Sequence, residues 1–380
     1  MKTLVILLDG APEPENSALQ KAHMPVLDAL AKKSMCGIWP GPKAPDGYNI
    51  KSLSELGMLA ILGYSPADSP GRGYVEALEL GVDPQPGAVY LRTNFSTVDE
   101  NLRIIDRRGG RDESFLEELA QDLNTEIEGI TIRLIKGRNH RGLVILEGPG
   151  LSSKISDVDV GQEKPARVEA LEPEAALTAR VLNTYLNWSH EKMKNHEVNT
   201  KRQFPANYLL MRSPGMQRPI QSFKERYGME CGVVGDDTIF NGISRYVGME
   251  VISSGGAQEI ETNLEERIDM ALELLKRKDM VFLHIKGTDA HAHYKNFPGK
   301  IKFLEEIDRK MLSRIPEDIG VVIISDHATS SVTGEHTLGN IPVLIYNGKD
   351  TNNVETFDEV SCEKGFLEDH PMEKIMSLLR

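Results

Sequence analysis

The sequence predicts an α/β protein with a mostly parallel sheet flanked by helices. Residues 4–8, 280–285 and 320–324 are largely apolar runs of strand length. Such runs are typical of strands buried on both faces, as in a parallel sheet. Segments with helical spacing at 24–33, 52–64 and 264–276 separate runs of this kind. Their alternation favours crossover helices that cover the sheet.

Shorter segments complete the predicted order of elements. Strand character recurs at 206–212, 231–234 and 249–252. Residues 148–203 are instead polar and mixed in charge, with one predicted helix at 172–188. This stretch indicates the far end of an inserted domain, followed by a return linker.

The composition is that of a soluble protein with room for about two domains. Its 380 residues include 44 Lys and Arg against 57 Asp and Glu, a net charge of −13. This balance argues against generic binding of nucleic acid or anionic membranes, so arginines that bind any anionic ligand must cluster locally. Cys36, Cys231 and Cys362 indicate reduced thiols in a cytoplasmic protein and no cysteine-ligated metal. We expect neither a signal peptide nor a membrane span, and the sequence leaves the oligomeric state open.

Acidic and imidazole side chains follow the predicted strands. Asp9 follows the first strand, Asp326 and His327 follow the last long one, and His336 returns after a turn. In open α/β sheets, ligands bind at the edge formed by the carboxyl ends of the strands. Taken alone, Asp9 is equally a turn residue before a glycine, and Asp326 is equally a helix cap beside an interior histidine.

A third carboxylate, Asp289, follows the strand at 280–285. His293 comes four residues later, a spacing that lets both side chains face one side of a helical turn. His291 lies two residues off that face and is interpreted as a neighbour of the site or a surface group. His284, inside the strand, is interpreted as a core histidine.

Ser54, near the start of the predicted helix at 52–64, has two interpretations. Its hydroxyl caps the helix by accepting a backbone N–H, the commonest role of a serine there. Alternatively, the hydroxyl faces the ligand edge, where a helix N-terminus stabilises negative charge. A serine hydroxyl is a weak nucleophile at neutral pH, and metal coordination would activate it.

Basic side chains cluster in loops beside glycines, which suits binding of phosphate and carboxylate oxygens. The alternative is a set of solvated basic turns. The candidate substrate-binding residues in these loops are Arg92, Asp106, Arg107, Arg108, Arg111, His140 and Arg141.

The candidate ligands are too many for one tetrahedral ion and predict a site for two divalent metals. They are Asp9, Ser54, Asp289, His293, Asp326, His327 and His336. Mixed oxygen and nitrogen ligation favours Mn²⁺, with Zn²⁺, Co²⁺ or Mg²⁺ as alternatives. Two such cations can clamp the attacking and leaving oxygens of a phosphoryl displacement, which predicts transfer through a phosphoserine.

Several short motifs follow one another along the chain. They are Leu-Leu-Asp-Gly at 7–10, Leu-Gly-Tyr-Ser-Pro at 62–66, Gly-Arg-Gly at 71–73, Arg-Thr-Asn-Phe-Ser-Thr at 92–97, Asp-Arg-Arg-Gly-Gly-Arg at 106–111, Asn-Tyr-Leu-Leu-Met-Arg at 207–212, Lys-Gly-Thr-Asp at 286–289 and Ser-Asp-His-Ala-Thr at 325–329. In this order they resemble the motifs of the archaeal-type cofactor-independent (2,3-bisphosphoglycerate-independent) phosphoglycerate mutases of the alkaline phosphatase superfamily.

The resemblance implies an alkaline-phosphatase-like, metal-binding domain formed by residues 1–80 and 204–380. A smaller α/β domain, 81–203, would be inserted into it and would close over the substrate. One metal would be held by Asp9, Ser54, Asp326 and His327, and the other by Asp289, His293 and His336. Ser54 would be the phosphorylated nucleophile in the interconversion of 3-phosphoglycerate and 2-phosphoglycerate. Lys286 would join the substrate-binding residues.

Two stretches depart from the family pattern. Leu53-Ser54-Glu55, with Ser52 nearby, replaces the usual Gly-Ser-Asp, and Ala11-Pro12-Glu13 replaces a Gly-Asp. The acceptor of the phosphoryl group therefore stays open between a mutase, a phosphotransferase such as the proposed homoserine kinase branch, and a phosphomonoesterase. The last alternative is an inactive relative that only binds a phosphorylated metabolite, although it requires loss of a metal ligand.

Overall fold

The protein is described from a computed structural model that covers residues 1–43, 53–200, 202–253, 260, 263–367 and 370–379. Ser52 and the side chain of Arg111 lie outside the described residues.

The strands of the described residues are numbered in chain order. They are β1 (Thr3–Leu8), β2 (Met35–Trp39), β3 (Val89–Val98), β4 (Ile104–Asp106), β5 (Thr125–Ile127), β6 (Ile130–Lys136), β7 (Arg141–Glu147), β8 (Tyr208–Met216), β9 (Cys231–Val234), β10 (Glu250–Ile252), β11 (Met280–Ile285), β12 (Gly320–Ile324), β13 (Ala328–Thr329), β14 (His336–Thr337), β15 (Ile341–Tyr346) and β16 (Phe366–Leu367).

The α-helices are numbered in the same way. They are α1 (Ala18–Lys21), α2 (Pro25–Ala31), α3 (Leu53–Ile61), α4 (Arg72–Glu79), α5 (Leu116–Asp122), α6 (Ala176–Lys194), α7 (Phe223–Tyr227), α8 (Thr238–Tyr246), α9 (Leu264–Leu275), α10 (Gly287–His293), α11 (Phe297–Lys310), α12 (Glu359–Cys362) and α13 (Pro371–Leu379). Among the described residues, no helix has both the length and the apolar character needed to cross a membrane.

The chain forms two compact units, residues 1–68 with 220–380 and residues 69–219. The boundaries that the family resemblance implies are 80/81 and 203/204. The structure assigns α4 to the second unit because this helix packs against β3 and β8. The roles of the two units in catalysis stay predictions.

The first unit is built on an eight-stranded sheet in the order β10-β9-β11-β1-β12-β15-β2-β16. Strand β1 lies between β11 and β12 and is parallel to both, with Thr3 in register with Met280 and with Gly320. All three strands are buried along their whole length, as their apolar sequences require. β15 pairs antiparallel with β12 and β2, whereas the other described pairs of this sheet are parallel. The sheet is therefore mostly parallel, which confirms the predicted fold class.

The second unit contains a six-stranded sheet whose described pairs are antiparallel. Its long strand β3 pairs with β7, β8 and β4. Helices α5 and α6 and the strands share one apolar core that includes Leu119, Leu146, Leu182 and Tyr185. Antiparallel pairing and segregated helices distinguish this unit from the parallel sheet of the first.

Candidate metal centre

Three adjacent strands bring the candidate ligand side chains to one edge of the first unit. Because β11, β1 and β12 are parallel neighbours, their carboxyl ends lie side by side. Asp9 follows β1, Asp326 and His327 follow β12, and Asp289 lies in α10, which begins just after β11. His336 is the first residue of β14. It returns to this edge because β14 pairs with β13, where Thr329 lies opposite His336.

The first candidate group contains Asp9, Asp326 and His327, all buried. Nε2 of His327 lies 3.2 Å from Oδ2 of Asp326 and 3.6 Å from Oδ1 of Asp9. The hydroxyl oxygen of Ser54 is 3.0 Å from the same nitrogen. Ligand atoms that share a metal at about 2.1 Å lie about 3.4 Å apart in a tetrahedral site, so these spacings suit a common cation.

The second candidate group contains Asp289, His293 and His336. Nε2 of His293 lies 3.2 Å from Oδ2 of Asp289, and Nε2 of His336 lies 3.5 Å from Oδ1. The two imidazole nitrogens are 3.0 Å apart. The four-residue spacing on α10 aims Asp289 and His293 in one direction, and the β13–β14 hairpin supplies His336.

Both groups fit divalent metal ions. Oδ1 of Asp9 and Oδ2 of Asp326 are buried and accept no hydrogen bond among the described residues. A buried carboxylate oxygen without a partner is costly, whereas a cation would satisfy it. Burial, together with the neighbouring Asp9 carboxylate, holds the pKa of Asp326 well above its usual range. These oxygens and imidazoles are suitable donors for Mn²⁺ or Zn²⁺.

Lys286 lies between the carboxylates of the two groups. Its Nζ is 2.9 Å from Oδ2 of Asp9 and 2.7 Å from Oδ2 of Asp289. Burial acts to lower the pKa of Lys286, but these carboxylates hold it well above its usual value. Burial likewise opposes ionisation of Asp9, yet Lys286 and His284 bring the pKa of Asp9 to about 2.

His284 contacts a candidate ligand, which the sequence analysis did not anticipate. It is buried, as expected of a core histidine, but its Nε2 lies 2.8 Å from Oδ2 of Asp9. Its ring stacks on Phe240. His291 does not join either group. It is buried, and its Nδ1 lies 3.3 Å from Nδ2 of Asn296.

A glycine brings Ser54 close to the first group. A side chain on Gly57 would place its Cβ 2.2 Å from the backbone oxygen of Asp326. Only glycine permits α3 to lie so close to the loop after β12. The short distance from Ser54 to His327 favours the second of the two interpretations of this serine, a hydroxyl that faces the ligand edge.

The departure at Ala11-Pro12-Glu13 has a structural reason. The Glu13 side chain is buried and lies 3.1 Å from Nζ of the fully buried Lys300. It also accepts hydrogen bonds from the backbone and hydroxyl of Ser331. This buried pair therefore ties the loop after β1 to the segment that follows β13.

The second unit concentrates arginines on its sheet. Arg92 on β3 lies directly opposite Arg212 on β8. Like charges placed opposite each other destabilise a sheet. Glu76 bridges Arg92 and Arg72, with Nε–Oε1 distances of 3.3 and 3.1 Å.

Burial, together with the neighbouring arginines, lowers the pKa of Arg92 to about 9. Such an arrangement suits an anionic ligand.

The basic loops place the other predicted residues around this sheet. Arg107 lies 3.3 Å from Asp159, which is also 3.7 Å from Arg212. Arg108 is exposed, and Arg141 lies opposite Asn94 at the start of β7. Asp106 accepts hydrogen bonds from the backbone N–H groups of residues 108 and 110, so it shapes the loop. His140 precedes β7 and is partly buried.

Arg72 and Arg212, which lie in the Gly-Arg-Gly and Asn-Tyr-Leu-Leu-Met-Arg motifs, were not among the predicted substrate-binding residues. The sequence signal that could have identified these two residues is the clustering of arginines beside glycines and strand segments in an acidic chain.

Comparison with known proteins gives consistent matches. Residues 31–199 match a family model described as 2,3-bisphosphoglycerate-independent phosphoglycerate mutase. A protein of that name from Picrophilus torridus is 35% identical over 386 residues, covering 97% of this chain and 94% of the relative. A second, from Methanocaldococcus jannaschii, is named 2,3-bisphosphoglycerate-independent phosphoglycerate mutase 1 and is 34% identical over 404 residues. That match covers 100% of this chain and 96% of the relative.

Solved structures share the fold along the whole chain. A cofactor-independent phosphoglycerate mutase from Thermoplasma acidophilum matches with a TM-score of 0.72 and 29% identity, covering 100% of both chains. A Pyrococcus horikoshii protein matches with a TM-score of 0.81 and 27% identity, covering 100% of this chain and 97% of the other.

Proposed function

The chain belongs to the 2,3-bisphosphoglycerate-independent phosphoglycerate mutase family, and from this premise we propose that it interconverts 3-phosphoglycerate and 2-phosphoglycerate through a phosphoserine at Ser54. It would thus be an isomerase. The observation that carries the proposal is the hydroxyl of Ser54, 3.0 Å from His327 beside two buried carboxylates.

The proposed metal ligands are the two groups described above. Asp9, Ser54, Asp326 and His327 would hold one divalent ion, and Asp289, His293 and His336 would hold the other. When bound, Mn²⁺ ions would supply positive charge for the serine alkoxide and the phosphoryl oxygens.

Ser54 is the nucleophile of the proposed reaction. Its Oγ attacks the phosphorus of 3-phosphoglycerate, and the bond from phosphorus to the 3-oxygen breaks. That oxygen takes up the proton released by Ser54. Glycerate then turns, its 2-oxygen attacks the phosphorus of the phosphoserine, and the bond from phosphorus to Oγ of Ser54 breaks. Oγ takes up the proton that the 2-hydroxyl releases. Lys286, beside Asp9 and Asp289, offers an ammonium group to the phosphoryl oxygens.

The unit of residues 69–219 is the proposed substrate-binding unit. The opposed Arg92 and Arg212 support this role, since a phosphate or carboxylate between them would relieve their repulsion. The proposed substrate-binding residues are Arg72, Arg92, Asp106, Arg107, Arg108, Arg111, His140, Arg141, Arg212 and Lys286. Retaining glycerate and excluding water distinguishes a mutase from a phosphatase, because water would hydrolyse the phosphoserine.

Purified protein reconstituted with Mn²⁺ tests the proposal. We expect it to form 2-phosphoglycerate from 3-phosphoglycerate and to yield a phosphorylated peptide that contains Ser54. Parallel assays with ATP and homoserine, and with a simple phosphomonoester, test the kinase and phosphatase alternatives. Formation of phosphohomoserine or free phosphate without 2-phosphoglycerate would overturn the mutase assignment. The relatives' shared name favours the mutase over both alternatives.

We also propose that the protein acts in the cytoplasm. Its three cysteines are all buried and free, which suits a reducing compartment. Localisation of a tagged chain in fractionated cells tests this.

A further inference from the structure

The hydroxyl of Thr329 lies between the two candidate metal groups. Its Oγ1 is 2.7 Å from Oδ1 of Asp289, in one group, and 3.1 Å from Nδ1 of His327, in the other. Thr329 is buried. Its hydroxyl therefore joins a residue of each group by hydrogen bonds.

The direction of these hydrogen bonds follows from their chemistry. A hydroxyl has one proton, and the ionised carboxylate of Asp289 can only accept, so Thr329 donates to Asp289. The oxygen of Thr329 must then accept from an N–H at Nδ1 of His327. The carbonyl of Ala328, 3.3 Å from the same nitrogen, is also only an acceptor. Nε2 of His327 is consequently left with its lone pair facing Ser54, Asp326 and Asp9.

Thr329 is itself held in place by the loop after β1. Its N–H donates to the carbonyl of Pro12 at 3.0 Å, and its carbonyl accepts from Nζ of Lys300 at 3.2 Å. Lys300 also donates to the carbonyl of Gly10 at 2.9 Å. Buried donors and acceptors on every side leave the Thr329 backbone little freedom.

Gly10 makes room for this hydroxyl. A Cβ on Gly10 would lie 2.4 Å from Oγ1 of Thr329 and 2.7 Å from Oδ1 of Asp289. The φ of Gly10 is also positive, at +57°. The two atoms of the Thr329–Asp289 hydrogen bond therefore leave room only for glycine after Asp9.

We propose that Thr329 is a positioning residue that holds both metal groups in one fixed arrangement and keeps His327 in the tautomer that presents Nε2 to a metal. This inference rests on the metal ligands assigned under the proposed function. It differs from that assignment because Thr329 would contact neither metal nor substrate. Residues that orient metal ligands in this way typically change metal affinity by about 10- to 100-fold when replaced.

The experiment compares Thr329→Val, which keeps the shape and removes the hydroxyl, with Thr329→Ser, which keeps the hydroxyl. Binding of Mn²⁺ to the metal-free full chain is measured by calorimetry and by the electron paramagnetic resonance of free Mn²⁺. We expect the valine variant to bind Mn²⁺ about 10- to 100-fold more weakly and the serine variant to bind within about threefold of wild type. Equal affinity in wild type and the valine variant would overturn the proposal.

A matched control separates this effect from loss of a buried hydroxyl in general. Thr178 is buried, and its hydroxyl accepts from the backbone of Ser152 in the other unit. Thr178→Val should lower stability without changing Mn²⁺ affinity. If Thr329→Val does not fold, Thr329→Ala takes its place, and full affinity in that variant contradicts the proposal equally.

Failure of the mutase assignment gives a different result. In that case no 2-phosphoglycerate forms, while the difference in Mn²⁺ affinity between the valine and serine variants persists. If the mutase assignment holds but Thr329 has no positioning role, wild-type turnover is normal and the valine variant binds Mn²⁺ as wild type does.

Discussion

The hydroxyl oxygen of Ser54 lies 3.0 Å from Nε2 of His327, although 273 residues separate the two in the chain. Replacing Ser54 with alanine removes the proposed nucleophile and leaves Asp9, Asp326 and His327 in place. We expect kcat to fall by at least about 10³-fold, as it does when other nucleophiles are removed. Mn²⁺ should still bind. Ser52→Ala, which changes a nearby serine, serves as the control and should retain activity. Substantial turnover by the Ser54→Ala variant would contradict the role of this residue.

Removing metal should destabilise the protein. Oδ1 of Asp9 and Oδ2 of Asp326 have no hydrogen-bond donor among the described residues, so a bound cation would stabilise the fold that presents them. Metal at about 100 times its Kd would add about 2.7 kcal/mol. Treatment with EDTA should lower Tm, and Mn²⁺ should restore it. Asp326→Asn should show a smaller response. An identical Tm with and without metal would count against both metal groups.

Arg212 should be important for substrate binding but not for stability. It lies opposite Arg92, so Arg212→Met removes a repulsion within the sheet. It also removes the 3.7 Å contact with Asp159, but that carboxylate keeps its 3.3 Å contact with Arg107. We expect KM for 3-phosphoglycerate to rise by about 10- to 100-fold, the loss of one charge-assisted hydrogen bond. The free energy of unfolding should stay constant or increase. Arg180→Met is the control, because Arg180 is an exposed arginine of the same unit paired with Glu128. A large loss of stability with unchanged KM would indicate a structural role.

Glu359 should make stability depend on pH. Burial raises the pKa of Glu359 above its usual 4.5, against the hydrogen bonds from Ser17 and from the backbone of Glu13. A raised folded pKa contributes stability that is complete below about 4.5 and is lost as pH rises through the folded value. Glu359→Gln lacks this loss, so its Tm relative to wild type should increase from pH 5 to pH 8.

The same neutralisation at the exposed Glu355 is the control, and the change in Tm difference with pH should be larger for Glu359→Gln than for this variant. A constant difference for Glu359→Gln would contradict the assigned direction of the pKa shift.

The strands that carry the site could be predicted closely from sequence. β11 and β12 occupy residues 280–285 and 320–324, as the apolar runs indicated, because polar residues or glycine limit both runs. The predicted helix at 172–188 is observed as α6, Ala176–Lys194. Its periodic sequence contains no glycine or proline near residue 188 that would have marked its end.

Residues whose surroundings depend on a partner strand were harder to identify. His284 follows the pattern of a core strand, and only the register of β11 with β1 brings it near Asp9. Arg212 is opposed to Arg92 by the pairing of β8 with β3, more than a hundred residues apart in sequence. Such pairings are fixed by the whole sheet rather than by local pattern, so a single sequence does not reveal them.

The position of β1 between β11 and β12 has a consequence for synthesis. At about 5–20 residues per second, the ribosome finishes β12 roughly 15–60 s after β1. Until β11 has been made, the first strand has neither of its neighbours, whereas residues 69–219 are contiguous and can fold as soon as they emerge. We expect ribosome-bound chains stalled before residue 280 to protect this contiguous unit from protease while β1 is cleaved, which would make metal loading one of the last events in maturation.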